Sequence, residues 1–152
     1  MRIVFAGSQQ RDLNLALAQW LEARLQAPRP FRQPFSTMGV FDDDELVAVL
    51  LFENYRPEDG TVEVGGAATT RRWMTRAVAN ALAKFIFGDL DCQMAIFRTS
   101  ERNKSLSRLM KRAGFELIVI PRLRGRDEAE HWFFMTSEAW AENPLNRSET
   151  LS

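Results

Sequence analysis

Cysteine is nearly absent. Cys92 is the only one among 152 residues, so no disulfide can close within the chain. With a single histidine, His131, beside it, the sequence also lacks the clustered soft ligands of a zinc site, and no metal is expected. No basic-then-apolar leader stands at the start, which together with the missing disulfides suggests a cytoplasmic protein. Long hydrophobic runs are missing as well: nothing approaches the ~18 apolar residues of a membrane span. Net charge is absent, because 20 basic residues balance 20 acidic ones, and this argues against a protein whose main work is holding a polyanion. Lysine is scarce, with 17 of the 20 basic residues being arginine. Arginine offers a planar fork to phosphate, so the placement of these residues matters more than their number.

What is present fits one soluble domain. Hydrophobic residues make up 45% and charged residues 26%, both ordinary for a globular chain, and the length suits a single core. Residues 1–144 read as one domain and the polar 145–152 as a flexible tail. A short strand at Met1–Phe5 is followed by a helical pattern at Leu13, Ala16, Leu17, Trp20 and Leu21, with Asp12 as its N-cap. Two apolar runs then flank Asp42-Asp43-Asp44 as a hairpin, and the second, Leu46–Phe52, is apolar throughout, as in a strand buried on both faces. "RPEDG" turns the chain into "TVEVGGAAT", a third consecutive antiparallel strand. The spacing predicts a helix over Arg71–Phe87 ended by Gly88, a strand at "CQMAIF", and a helix carrying Leu106, Leu109, Met110 and Ala113 that Gly114 closes. "FELIVI", "HWFFMT" and a short helix at "SEAWAENP" complete the order. The sum is an α+β domain: a central mixed, mostly antiparallel sheet of about seven strands with three to four helices on its faces. The second and third helices are expected to be crossovers between neighbouring strands.

One junction carries a local conflict. In "VEVGGAATTRRWMTRA" a strand ends in the small residues Gly65, Gly66, Ala67 and Ala68, which allow another backbone or a ligand to come close. Thr69 and Thr70 could cap the next helix, and Arg71, Arg72 and Arg76 crowd its start. Cations oppose the positive end of a helix dipole, at a cost of roughly 0.3–1 kcal/mol each, unless an anion joins them. A bound phosphate or pyrophosphate resolves the conflict; arginines extended into solvent are the plainer reading. A second basic group, Arg98, Arg102, Lys104 and Arg108, follows the next strand, and the two groups could line one cleft. "NKSLSRLMKRAGF" imitates half of a helix-turn-helix, but a strand follows where a second helix is required, so nucleic acid is not expected as partner.

Two motifs resemble a known family. Asn103, then a helix, then Gly114-Phe115 resembles the GNAT superfamily of acetyl-CoA-dependent N-acetyltransferases, and "TRRWMTRAVANAL" resembles that family's pyrophosphate loop and helix start. "RRWMTRA", Phe87–Leu90 and the Asn103–Phe115 run are similar to a subgroup common in phages and prophages. The resemblance spans nearly the whole chain. It implies acetyl-CoA as cofactor, an amine of a small molecule or peptide as acceptor, and direct transfer in a ternary complex. It places Gly66, Ala67 and Ala68 against the pantetheine arm. Backbone of Arg71, Arg72, Trp73, Met74, Thr75 and Arg76 would hold the pyrophosphate, and Asn103, Ser107 and Arg108 would form the other wall. The sequence departs from the family pattern at Met74, Thr75 and Arg76, where small residues are usual, and at Met110, where a tyrosine acid is common. Ser107 or water would then protonate the leaving thiolate. An ammonium acceptor has no lone pair, so a base is needed: Glu63 first, Glu53 second. The alternative is a catalytically silent protein of the same fold that binds CoA or a protein partner. "HWFFMT", as an edge strand, could pair across a homodimer.

Overall fold

The computed structural model describes residues 1–146, and 147–152 lie outside the described residues. Seven strands form one sheet: β1 (Arg2–Ala6), β2 (Ser36–Asp42), β3 (Glu45–Arg56), β4 (Thr61–Ala68), β5 (Met94–Ser100), β6 (Glu116–Ile120) and β7 (Glu130–Thr136). Their spatial order is β1-β2-β3-β4-β5-β7-β6. Every neighbouring pair is antiparallel except β4 and β5, which run parallel. This is the mixed, mostly antiparallel sheet that the order of apolar runs implies.

Four α-helices accompany it: α1 (Arg11–Leu25), α2 (Arg76–Ala83), α3 (Lys104–Arg112) and α4 (Ser137–Ala141). One face of the sheet is covered by α1, whose Leu17, Ala18 and Leu21 pack with Val49 and Leu51 of β3. The other face carries Val78 and Leu82 of α2 and Met110 of α3, against Leu50, Phe52, Val62, Val64, Phe97 and Phe133. No helix among the described residues is long and apolar enough to cross a membrane.

Several elements differ from the sequence expectation. The first helix begins at Arg11 behind a 3-10 turn (Ser8–Gln10), so Asp12 lies inside it rather than capping it. Its buried stripe is rotated: Asn14, Leu17, Ala18 and Leu21 are buried, while Leu13 is exposed. The buried Asn14 explains the rotation. Its Oδ1 accepts from Thr37 Oγ1 at 2.7 Å and its Nδ2 donates to the Phe35 carbonyl at 3.0 Å, so a satisfied polar pair locks this face to β2. The second helix begins at Arg76, not Arg71. Thr75 is extended and its Oγ1 accepts from Val78 N–H at 3.2 Å, so the true N-cap lies five to six residues beyond Thr69 and Thr70. Helix α2 then widens into a π-type turn over Lys84–Asp89.

The last two strands also differ. β7 inserts between β5 and β6, so the crossover through α3 joins strands that are not neighbours. "HWFFMT" is therefore an interior strand, and the sheet edges are β1 and β6. Of the tail expected at 145–152, Leu145 and Asn146 are described. The Leu145 carbonyl accepts from Asn80 Nδ2, and Asn146 Nδ2 donates to the Trp140 carbonyl. The rest of that expectation falls outside the described residues.

Candidate active site

The parallel pair β4–β5 is joined only from Thr61↔Met94 to Val64↔Phe97. Beyond that rung β4 continues through Gly65–Ala68 along β3, while β5 continues through Arg98–Ser100 along β7. The sheet splits there, and the backbone of Gly65–Ala68 turns an edge without a strand partner toward the gap. Gly66 is small for a second reason. A Cβ there would stand 2.4 Å from Leu50 Cδ2 and 2.8 Å from the Val49 carbonyl, so the neighbouring strand alone forbids a side chain. A Cβ on Gly65 would meet nothing.

The split opens into a cleft of about 470 Å³. β4 contributes Gly66, Ala67 and Ala68, the following loop contributes Thr69, Thr70, Arg71 and Trp73, and α3 contributes Asn103, Ser105, Leu106, Arg108, Leu109 and Arg112. Arg24 and Leu25 arrive from the end of α1, with Leu50 and Phe97 as the floor. Among the described residues, four arginines therefore line the cleft, and no carboxylate does. None of the four is in an ion pair among the described residues. Such a lining favours an anion with several charges. Asn103 caps α3, its Oδ1 accepting from Leu106 N–H at 3.1 Å. Its Nδ2 has no acceptor among the described residues and remains a donor for the cleft.

The other predicted residues stand elsewhere. Arg72, Met74, Thr75, Arg76 and Ser107 are not in the cleft lining. Met74 packs against the apolar core, and the Arg76 guanidinium donates to the Pro144 carbonyl at 2.7 Å. Arg102 pairs with Glu128 at 3.1 Å. Ser107 is buried and lies 3.1 Å from His131 Nδ1, beside the fully buried Met110. Arg24 and Arg112 are the residues that sequence reasoning missed. Arg24 lies some forty residues upstream of the motif, so no local pattern marks it; Arg112 at least follows Arg108 by one helical turn.

Glu53 and Glu63 lie directly opposite each other on β3 and β4, one rung before the split. Alternation sets Glu63 away from the buried Val62 and Val64, on the face that α1 covers. Arg98 Nη1 donates to Glu63 Oε1 at 2.9 Å, and Asn54 Nδ2 donates to Glu63 Oε2 at 3.1 Å. Arg98 also binds the buried Glu130 through Nε at 2.6 Å and lies 4.9 Å from the Trp132 ring centre. These carboxylates hold the Arg98 guanidinium even more firmly protonated than usual, against the opposing effect of burial. Glu53 has no hydrogen-bond partner among the described residues. Burial, then the neighbouring Glu63 charge, push its carboxyl above the ordinary range, and Arg98 partly offsets them.

No protein-family model matches the sequence, nor does any curated protein. Solved structures match in fold. A spermidine N-acetyltransferase of Vibrio cholerae in a dodecameric form is 13% identical, with 97% of this chain and 98% of that one covered at a TM-score of 0.66. A protein described as an acetyltransferase is 13% identical, with 91% and 94% covered at 0.65. A candidate acetyltransferase is 17% identical at 0.62, and there the match takes in 73% of this chain but only 63% of the other. Identities this low speak for architecture alone. This chain has the GNAT-like α+β fold of those acetyltransferases.

Proposed function

We infer that the chain is an N-acetyltransferase that moves an acetyl group from acetyl-CoA to an amine by direct transfer. The carrying observation is the split between β4 and β5, walled by an unpaired strand edge and four arginines, with no carboxylate among the described residues. The residues present fit CoA. Gly66–Ala68 supply backbone groups for a pantetheine arm, and Arg24, Arg71, Arg108 and Arg112 supply charge for its phosphates. Of the amides in the first turn of α2, Val78 N–H is already taken by Thr75. Acetyl-CoA would bring the acetyl group as an activated thioester.

The chain's own residues would do the rest. Glu53, ionised, would take the proton of the acceptor ammonium directly or through one water, and its raised pKa matches it to that task. Arg98 would hold the Glu63 carboxylate in place, and that fixed group would attract a cationic amine to the same rung. The acceptor is an amine of a small molecule or peptide; spermidine, the substrate named for the Vibrio cholerae neighbour, is a sensible first probe. A cytoplasmic setting and the likeness to a phage subgroup belong to the same reading.

A silent CoA-binding protein is favoured by one arrangement: Met110 is fully buried where a proton donor would be useful, and Ser107 is turned to His131. Titration calorimetry with acetyl-CoA, then a panel of amines followed by thiol release, separates the two. Binding with turnover is expected. Binding without turnover on any amine supports the silent reading, and no binding at about millimolar cofactor, a Kd weaker than −4.1 kcal/mol implies, removes both.

A further inference from the structure

We propose that the acceptor is a linear diamine with a long apolar middle, and that Glu116 is a specificity-determining residue that holds its second ammonium group while the first stands at the Glu53–Glu63 rung. The inference rests on the transferase reading and narrows its amine to one class.

The strand register sets five residues in one row across the sheet. Glu53 on β3 stands opposite Glu63 on β4, and Glu63 stands beside Ile96 on β5. Ile96 faces Phe134 on β7, and Phe134 faces Glu116 on β6. Direct cross-strand partners share a face, so all five rise from the same side of the sheet. Burial agrees: their chain neighbours Phe52, Val64, Phe97 and Phe133 are buried in the core on the other side, with α2 and α3. Helix α1 packs against β1 to β4 on the row's own face. Further along the row, Ile96 and Phe134 are half-buried and Glu116 is exposed.

The row reads acid, acid, apolar, apolar, acid. Its complement is a cation, a hydrocarbon and a second cation. A monoamine would leave Glu116 unmatched, and a chain with charge at its centre would set that charge on Ile96 and Phe134. Neither Glu53 nor Glu116 is in an ion pair among the described residues. Arg98, two residues along β5 from Ile96, is already engaged by Glu63 and Glu130, so the hydrocarbon passes a compensated charge rather than a free one. Length is fixed by the sheet. Neighbouring strands stand about 4.8 Å apart, which sets the backbones of Glu63 and Glu116 about 14 Å apart across three steps. An extended hydrocarbon advances about 1.25 Å per bond, so eight methylenes separate two ammonium groups by about 11 Å, and the two glutamate side chains cover the remainder. Four methylenes give only about 6 Å and cannot bridge the row.

Calorimetric titration of α,ω-diaminooctane, α,ω-diaminobutane and aminooctane into the full chain tests the proposal without calling on turnover. Diaminooctane should bind more tightly than either of the others. Glu116→Gln, on an exposed side chain, should weaken diaminooctane about 2- to 5-fold, as loss of an exposed ion pair does. It should bring diaminooctane to the level of aminooctane, with aminooctane and the circular-dichroism melt unmoved. Thiol release from acetyl-CoA is read in parallel. Selective binding of diaminooctane without thiol release on any amine would remove the transferase reading and leave the row as a diamine site. Thiol release with no preference for diaminooctane over aminooctane would overturn the row and leave the transferase reading standing. A Glu116→Gln effect equal for all three amines, or absent from diaminooctane, would also overturn it.

Discussion

Glu53 and Glu63 share one rung and one face, yet their partners give them opposite characters. Glu63 is gripped by Arg98 and Asn54, whereas Glu53 carries burial and a like charge that the more distant Arg98 only partly offsets. Glu53→Gln should therefore cut kcat by about 10²–10⁴, leaving the affinity for acetyl-CoA unchanged, as measured by steady-state rates beside calorimetry. The pH dependence has a definite sign. As the proposed base, Glu53 would work ionised, and its pKa is raised, so kcat/KM should climb with pH through a value above the ordinary 4.5 of a glutamate. Arg98 lowers that pKa, so Arg98→Gln should move the acidic limb to higher pH. The same change leaves Glu130, whose side chain is 4% exposed, with the longer Arg124 contact at 3.7 Å, and should cost about 2–4 kcal/mol in urea unfolding. That is below the 3–5 kcal/mol of a fully buried pair because Arg98 is one-third exposed.

At the scale of elements, the register of the caps decides where charge sits. The motif "TRRWMTRA" reads as one helix start, but Thr75 takes the cap, and the six residues before it are loop. Arg71 is thereby left in the cleft and Arg76 is carried off to Pro144. Thr75→Ala should cost about 1 kcal/mol of stability in a denaturant titration. CoA affinity should stay within twofold, because Thr75 does not line the cleft. Helix α3 behaves differently from its periodic pattern. Leu106 and Leu109, expected as core, pack against it and also line the cleft, while Ser107 and Met110 are the buried pair. A stripe states that a face is covered; it does not say whether protein or ligand covers it.

For the whole molecule, the cleft joins parts that are far apart in the chain: α1, the loop after β4, and α3. A ligand bridging them should stabilise the entire fold. At about 100 times Kd, acetyl-CoA should add about 2.7 kcal/mol. In a chain of this length that is a rise in Tm of about 5–10 °C, readable by differential scanning fluorimetry. Replacing Arg24, Arg71, Arg108 and Arg112 together by glutamine should abolish the rise.

Much of this was legible in the chain itself. Alternation in "TVEV", the unbroken apolar run of β3, the helix ending at Gly114 and the order of elements all rest on contacts within a few residues, which periodicity reports directly. Sequence also found both carboxylates of the β3–β4 rung and the arginine-rich junction. Tertiary structure alone decided three things. It slid β7 between β5 and β6, because strand partners are chosen by packing between segments and not by chain order. It brought Arg24 to the cleft and sent Arg98 to Glu63 and Glu130, because a charge settles by its three-dimensional neighbours. And it separated the two glutamates, since a carboxylate's character comes from the donors and burial around it, neither of which is written beside it in the sequence.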